Sequence, residues 1–342
     1  MAVALVGPTA SGKSEAALEV VWTVRASRVA VRAGVDATID GSADGGDVEL
    51  VSVDSMAVYR GMDIGTAKPR PAVRADVRYH LVDLVDPDEE FTVTQFQAAA
   101  MDVLAGIALR GNRAVLVGGT GLYLRSIIDD LDFPGRFPEV ATGLMVELDR
   151  HGVAGSAARA EGLAELHARL GALDPVAAAR IGLGNERRLI RALEVTIGAG
   201  RPFSGFGPGL ERYPATRFAL VGIGPDLDEE DRRVADQRIA DRFARMMDEG
   251  LLDEVRRLAA RPGGLSRTAR QALGYRELLT HVEEGVPLNE AVDEAVRRTR
   301  QFARRQSAWF RRDPRIEWVT ADEDPVAVVI SRLGGHAEPL YR

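Results

Sequence analysis

The octapeptide GPTASGKS at residues 7–14 has the residue types and spacing of a loop that wraps phosphate. Its glycines let backbone N–H groups close on phosphate oxygens, and a helix starting at its end adds partial positive charge. Lys13 then reaches the terminal phosphate, and the Ser14 hydroxyl is placed to hold Mg²⁺. A triphosphate to be split, a nucleotide to be phosphorylated and a diphosphate about to leave all fit such a loop.

Two further positions carry oxygen chemistry. Asp54 in SVDSM ends an apolar run, where a carboxylate serves as metal ligand, general base or cap of the following turn. Thr120 in GGTGLY stands between glycines where a strand gives way to a helix, so its hydroxyl either binds substrate or caps the helix.

Arginine supplies the remaining candidates. Residues 297–315 hold eight arginines and one acid, and on a helix they form one broad basic face beside Trp309 and Phe310. Arginines grip phosphates, and aromatic rings stack on unpaired bases. The alternative is a solvated helix face with i,i+4 ion pairs, but acids are scarce in that stretch. Arg187, Arg188 and Arg191 make a smaller cluster. Arg238 and Arg242 lie at i,i+4 and face the same way, as a diphosphate grip or as ordinary surface charge. Of 44 basic residues only Lys13 and Lys68 are lysine, and both fall inside motif-like stretches. Lys68 is therefore a functional candidate beside its plain reading as a surface lysine.

These residues need a scaffold. AVALV (2–6), ELVSVD (49–54), RAVLVGG (113–119), RFALVGIG (217–224) and IEWVTA (316–321) read as strands, and the stretch 14–26 reads as a helix behind the phosphate loop. Strands alternating with helices indicate a parallel α/β sheet. Ligands then gather at the carboxyl ends of the strands, where the loop, Asp54 and Thr120 all lie. Residues 137–204 are rich in alanine and arginine with helical periodicity, and read as a helical insertion between core segments 1–136 and 205–342. Residues 34–48 are rich in glycine and aspartate and read as a mobile surface loop.

Composition narrows the function classes. The 342 residues are 46% hydrophobic and 28% charged, enough for a full core plus a subdomain. There is no cysteine, which excludes disulfides, thiolate metal sites and a cysteine nucleophile. No apolar run reaches a membrane span, and the first strand runs straight into the phosphate loop without a leader pattern; both predict a cytoplasmic protein. The net charge of -7 argues against nucleic acid, but the local basic stripe argues for it.

The segments GPTASGKS, SVDSMAVYRGMDIGTAKP, VGGTGLYLRSI, RALEV, QALGYRE and TRQFARRQSAWFR, in this order, resemble the tRNA dimethylallyltransferase (tRNA isopentenyltransferase) family from about residue 3 to 320. The resemblance implies a P-loop NTPase-like parallel sheet core with a helical insertion. It implies transfer of a dimethylallyl group from dimethylallyl diphosphate to the exocyclic amine of the adenosine 3′ of the anticodon, with Mg²⁺. It places the diphosphate on Gly7, Thr9, Ala10, Ser11, Gly12, Lys13 and Ser14, with Arg238 and Arg242 beside it. Asp54 then takes the amine proton and Thr120 helps hold substrate. The tRNA anticodon stem-loop would meet Asp54, Ser55, Met56 and Ala57; then Arg187, Arg188, Leu189, Ile190 and Arg191; then Gln271, Gly274, Tyr275 and Arg276; and finally Arg304, Arg305, Gln306, Trp309 and Arg311. A monomer is expected.

Three stretches depart from the family pattern. Residues 30–48 are longer and richer in glycine. GNERR replaces an Asn-Asp-Pro-Gln-Arg-like run. Ala141 stands where an arginine is expected, with Arg136 as its candidate substitute. The rival readings are an adenylate dimethylallyltransferase acting on AMP, ADP or ATP, a small-molecule kinase using the same loop on ATP, and a non-catalytic RNA-binding module.

Overall fold

The computed structural model describes residues 2–33, 46–207, 209–224, 229–320 and 322–334. Residues 34–45 of the glycine-rich stretch lie outside that set. The chain divides into two compact units, one from Met1–Asp129 with Ala215–Arg342, the other Asp130–Pro214.

The first unit is built on β1 (Ala2–Val6), α1 (Lys13–Arg32), β2 (Val48–Val53), α2 (Pro71–Asp76), β3 (Tyr79–His80), α3 (Val93–Leu109), β4 (Arg113–Gly118) and α4 (Gly121–Ile128). The second unit holds α5 (Pro138–Asp149), α6 (Ala157–Leu173), α7 (Pro175–Arg180) and α8 (Glu186–Ala199). The first unit then resumes with β5 (Phe218–Gly222), α9 (Glu229–Asp248), α10 (Leu251–Ala259), α11 (Tyr275–Glu284), α12 (Leu288–Phe310), β6 (Glu317–Trp318) and α13 (Pro325–Gly334). The helical unit is wider at both ends than the 137–204 read from periodicity. Its core is leucine at helical spacing: Leu144 and Leu148, Leu166 and Leu170, Leu189 and Leu193.

Among the described residues the sheet has six strands, all parallel, in the order β3-β2-β4-β1-β5-β6. Every residue of β1, β2 and β4 is buried. That is why β1 and most of β4 read as continuous apolar runs, a parallel sheet being covered on both faces; β2 is buried equally but carries Glu49 and Ser52 in its run. Val3, Leu5, Leu50, Val115 and Val117 point toward Val20, Val21 and Val24 of α1 and Val329 of α13. Ala4, Val6, Val51, Val53 and Leu116 point toward Phe96 and Leu104 of α3 and the α11–α12 layer. The two-residue β3, the helix α3 and the helix α13 were not anticipated from the sequence; β3 is too short to show a period. Among the described residues no helix is long and apolar enough to cross a membrane.

Register does the positioning. Val6 pairs with Gly118, and Gly118 pairs with Val53, so β1, β4 and β2 end in one row. Strands lie about 4.8 Å apart. The residues that follow, Gly7, Gly119 and Asp54, therefore leave the sheet side by side. Gly118 is the tight point of this row, since a Cβ there would lie 2.1 Å from the Val53 carbonyl oxygen. Leu116 is fully buried at the middle of β4. Leu116→Ala should lower unfolding free energy by roughly 2–5 kcal/mol; a urea titration that shows no shift in midpoint would contradict this core assignment.

Candidate active site

The phosphate loop spans the turn from β1 to α1. Ala10 and Gly12 both take left-handed backbone conformations, with φ 62 and φ 86. Alternation of this kind turns successive N–H groups toward one point and makes an anion nest. Gly12 also occupies the N-cap of α1, and no side chain caps that helix. The first-turn N–H groups of α1 therefore lack an internal cap, unlike those of α3, where Thr92 and Gln95 form a capping box. Gly7 sits beneath the loop, where a Cβ would come 2.0 Å from the Ile223 carbonyl oxygen.

A cavity of about 1590 Å³ opens over the ends of β1, β4 and β2. It brings together Thr9 to Ser14, the segment 54–57, Thr120, Arg238 and Arg242, and Gln271, Arg276, Arg305 and Gln306. Lys13 Nζ donates to the Pro8 carbonyl at 2.8 Å. Burial, and next the charge of Arg242, pull its ammonium down to about 8, against the opposite pull of Asp54 and Glu15. Burial likewise lowers Arg242 from its ordinary value. Among the described residues no carboxylate comes within ion-pair distance of Lys13, Arg238 or Arg242. Lys13 and Arg242, desolvated and without close counter-charges, favour an anion between them, with exposed Arg238 on the same cavity wall.

Asp54 is both a cap and an open carboxylate. Its Oδ1 accepts from Met56 N at 2.7 Å and Ala57 N at 3.3 Å, which fixes the turn. Its Oδ2 accepts from no described protein group, and the residue lines the cavity. Thr120 occupies the N-cap of α4 without capping it; instead its Oγ1 accepts from Ser55 N at 3.2 Å. That bond ties the Asp54 turn to the end of β4.

The 54–70 loop is fastened from below. Lys68, almost fully buried, donates to the Tyr59 carbonyl, to Asp63 Oδ1 at 3.0 Å and to Asp83 Oδ1 at 2.6 Å. Burial opposes the Asp83 charge, but hydrogen bonds from Lys68 and Arg74 hold its carboxyl below the usual range. Glu254, also buried, accepts from the backbone N–H groups of Asp63, Ile64 and Gly65 and from the Tyr275 hydroxyl at 2.5 Å. Gly65 has no room for a Cβ, which would lie 2.4 Å from the Tyr275 ring. Lys68 thus holds the loop's shape, and nothing else is required to explain it.

Several residues expected to face RNA do other work. Tyr275 is fully buried with its hydroxyl on Glu254. Gly274 takes φ 85 to start α11. Leu189 and Ile190 are buried in the helical unit. Trp309 rests on the start of α4, where a Gly121 Cβ would lie 2.1 Å from its indole nitrogen. The Arg311 guanidinium stacks 4.5 Å from the Trp318 ring centroid. Gln306 is buried. The basic face of α12 is also less bare than composition implies. Glu294 pairs with Arg297 and Arg298, and Asp236 on α9 pairs with Arg304. Exposed on the helical unit are Arg187 and Arg188; Arg191 is held by Glu194 and the Pro134 carbonyl. In GNERR, Asn185 caps α8 and Glu186 pairs with Arg159. Ala141 is half-buried on α5, and Arg136 is exposed just before that helix.

The cavity also contains residues that sequence reasoning missed. Arg245 continues the Arg238–Arg242 face at i,i+3, a signal that was present in the spacing. Tyr79 comes from the short edge strand β3 and left no signal; burial raises its phenol, and nearby Asp54 and Glu15 add to the shift.

A metal ion fits this site only with help from substrate. No group of three or more His, Asp or Glu side chains gathers among the described residues. The Ser14 side chain is exposed to the cavity at the start of α1. A hydroxyl and phosphate oxygens suit Mg²⁺, which keeps several waters and takes few protein ligands.

Loss of the Lys13 proton should weaken anion binding. Calorimetric titration with pyrophosphate and Mg²⁺ should show affinity falling as pH rises through about 8, with a flatter profile in Lys13→Arg. The same pH profile in both proteins would contradict the placement of Lys13 against the anion.

The profile of a family described as IPP transferase matches residues 57–313. A protein named tRNA dimethylallyltransferase from Pseudarthrobacter chlorophenolicus is 41% identical over 327 residues, covering 95% of each chain. One of the same name from Thermobifida fusca is 40% identical, covering 99% of this chain and 96% of its own. The crystal structure of a full-length tRNA isopentenylpyrophosphate transferase from Bacillus halodurans superposes with a TM-score of 0.59 at 32% identity, covering 97% of this chain and 96% of its own. With the matched profile spanning most of the chain, and with similarity that extends nearly end to end, the chain belongs to the IPP transferase family.

Proposed function

We propose that this enzyme transfers the dimethylallyl group of dimethylallyl diphosphate to the N6 amine of the adenosine 3′ of the anticodon in tRNA, releasing diphosphate. The observation that carries the reading is the single cavity that joins an anion nest to the open oxygen of Asp54. A kinase needs the nest, but this cavity also places a carboxylate and a hydroxyl on the neighbouring strand ends, where an acceptor amine can reach the allylic carbon.

The chain's residues divide the work. The amides of residues 10–14, Lys13, Arg238 and Arg242 receive the diphosphate, and their charges stabilise the negative charge that grows on it as the allylic C–O bond breaks. The Ser14 hydroxyl would help to hold Mg²⁺, which when bound would supply further neutralisation of the leaving group. The amine nitrogen forms the new bond to the allylic carbon, and the bonding pair of the C–O bond leaves on the diphosphate. Asp54 Oδ2 takes the proton that the amine loses, while Oδ1 stays fixed by Met56 and Ala57. Thr120 holds the Asp54 turn in place and presents its hydroxyl to the cavity.

The acceptor must leave its base stack to enter the cavity, which costs least in a single-stranded loop. Arg245, Arg276 and Arg305 at the cavity wall supply positive charge for the RNA backbone there. Arg187 and Arg188 on the helical unit supply a second contact to the anticodon stem-loop. The enzyme acts as a monomer in the cytoplasm.

Labelled dimethylallyl diphosphate offered with Mg²⁺ to unmodified tRNA and to AMP in parallel tests the reading. Label should enter tRNA alone; label in AMP alone would move the acceptor to a free nucleotide. Asp54→Ala should slow transfer by roughly 10²–10⁴-fold while leaving tRNA binding largely intact. Unchanged turnover in that variant would remove Asp54 as the base.

A further inference from the structure

Gln306 lies on α12 within the arginine-rich face, yet it is 8% exposed and points inward. Its Oε1 accepts from Thr9 N at 2.9 Å, and its Nε2 donates to the Gly119 carbonyl at 2.8 Å. Thr9 belongs to the phosphate loop after β1. Gly119 follows β4 directly, one residue before Thr120. One planar amide therefore spans the gap between the two strand ends that frame the cavity.

The partners fix the amide's orientation. A backbone N–H requires the oxygen and a carbonyl requires the nitrogen, so only one of the two flips satisfies both. Glutamate has no proton to give Gly119 when ionised, and an apolar side chain leaves both backbone groups unpaired. The fit is close on the other side too: a Cβ on Gly119 would lie 2.3 Å from Gln306 Nε2 and 3.2 Å from the Gly7 carbonyl oxygen. Trp309, one turn further along α12, rests on Gly121 and holds the helix against the same β4–α4 turn. The Thr9 amide is turned to α12, so the nest that receives phosphate is left to the residues after Thr9.

We propose that Gln306 is a positioning residue for the diphosphate-binding loop. It sets the separation of the β1 loop from the β4 loop, and so the reach from the diphosphate to Thr120 and Asp54. Its role is toward the donor, although it lies in a stretch of helix whose arginines face outward. The proposal rests on the transfer reaction proposed above for its consequence in turnover, and on the anion nest alone for its consequence in binding.

The test compares the intact protein with Gln306→Leu and Gln306→Glu. Three quantities are read: affinity for pyrophosphate with Mg²⁺ by calorimetry, affinity for unmodified tRNA, and steady-state transfer. With both hydrogen bonds lost in Gln306→Leu, and the bond to the Gly119 carbonyl lost in Gln306→Glu, pyrophosphate affinity should fall roughly tenfold or more in the leucine variant and by less in the glutamate variant, and the KM for dimethylallyl diphosphate should rise by more than kcat falls. Affinity for tRNA should not change. Gly119→Ala presses on the same amide from the other side and serves where a Gln306 variant does not fold. Combined with Gln306→Leu, it should add little to the loss caused by either change alone. Unchanged pyrophosphate affinity in the folded variants would overturn the proposal, as would a loss confined to tRNA binding. If the unaltered protein transfers no label to tRNA but the pyrophosphate pattern holds, the reading of the reaction fails and the positioning role stands.

Discussion

The shared end-row of β1, β4 and β2 is the constraint on which the site depends. Pairing of Val6 with Gly118 and of Gly118 with Val53 brings three strands to a stop together. Everything polar then happens in the few residues that follow. An anion nest leaves β1, a carboxylate leaves β2 and a hydroxyl leaves β4. A slip of one residue in any of these pairings would move a functional group by about 3.3 Å and turn its strand inside out. The Gly118 contact with the Val53 carbonyl makes that slip costly, because no other residue type fits at the pinch.

Around that row the molecule builds two supports. Below the Asp54 turn, Lys68 and Glu254 spend their charges on backbone groups and on Asp63 and Asp83, and so give rigid shape to a segment without regular structure. Above it, α12 is seated on the β4–α4 turn through Gln306 and Trp309, with Gly119 and Gly121 making the room. The glycines of the GGTG stretch thus have two physical causes. One is the close approach of the neighbouring strand's Val53 carbonyl at Gly118, and the other is the close approach of a distant helix at Gly119 and Gly121.

The parts of this arrangement that are local in sequence were legible in it. A phosphate loop is defined by neighbours along the chain, and a buried parallel strand shows itself as a mostly apolar run, unbroken in β1 and interrupted by Glu49 and Ser52 in β2. The i,i+4 spacing of Arg238 and Arg242 also correctly put both on one face, and the cavity receives them. What the sequence concealed was the direction in which α12 faces. Periodicity groups Gln306 and Trp309 with their arginine neighbours, but only tertiary packing decides which of them turn inward. The ion pairs of α12 were hidden for the same reason: Glu294 lies just before the basic stretch, and Asp236 comes from another helix. Lys68 was singled out correctly as unusual, yet its use is structural. Leu189, Ile190 and Tyr275 belong to helices whose motifs face RNA in the family reading, while their own side chains build the core beneath.

In the proposed reaction the phosphate loop holds a leaving group and hydrolyses nothing. Stoichiometry tests it most directly. Purified enzyme, unmodified tRNA, dimethylallyl diphosphate and Mg²⁺ would be followed for pyrophosphate released and for prenyl groups gained by tRNA, with and without ATP. The two should rise together in equal amounts, with no ATP consumed and no orthophosphate formed. Prenylation that requires ATP, or orthophosphate released from ATP in step with turnover, would contradict it.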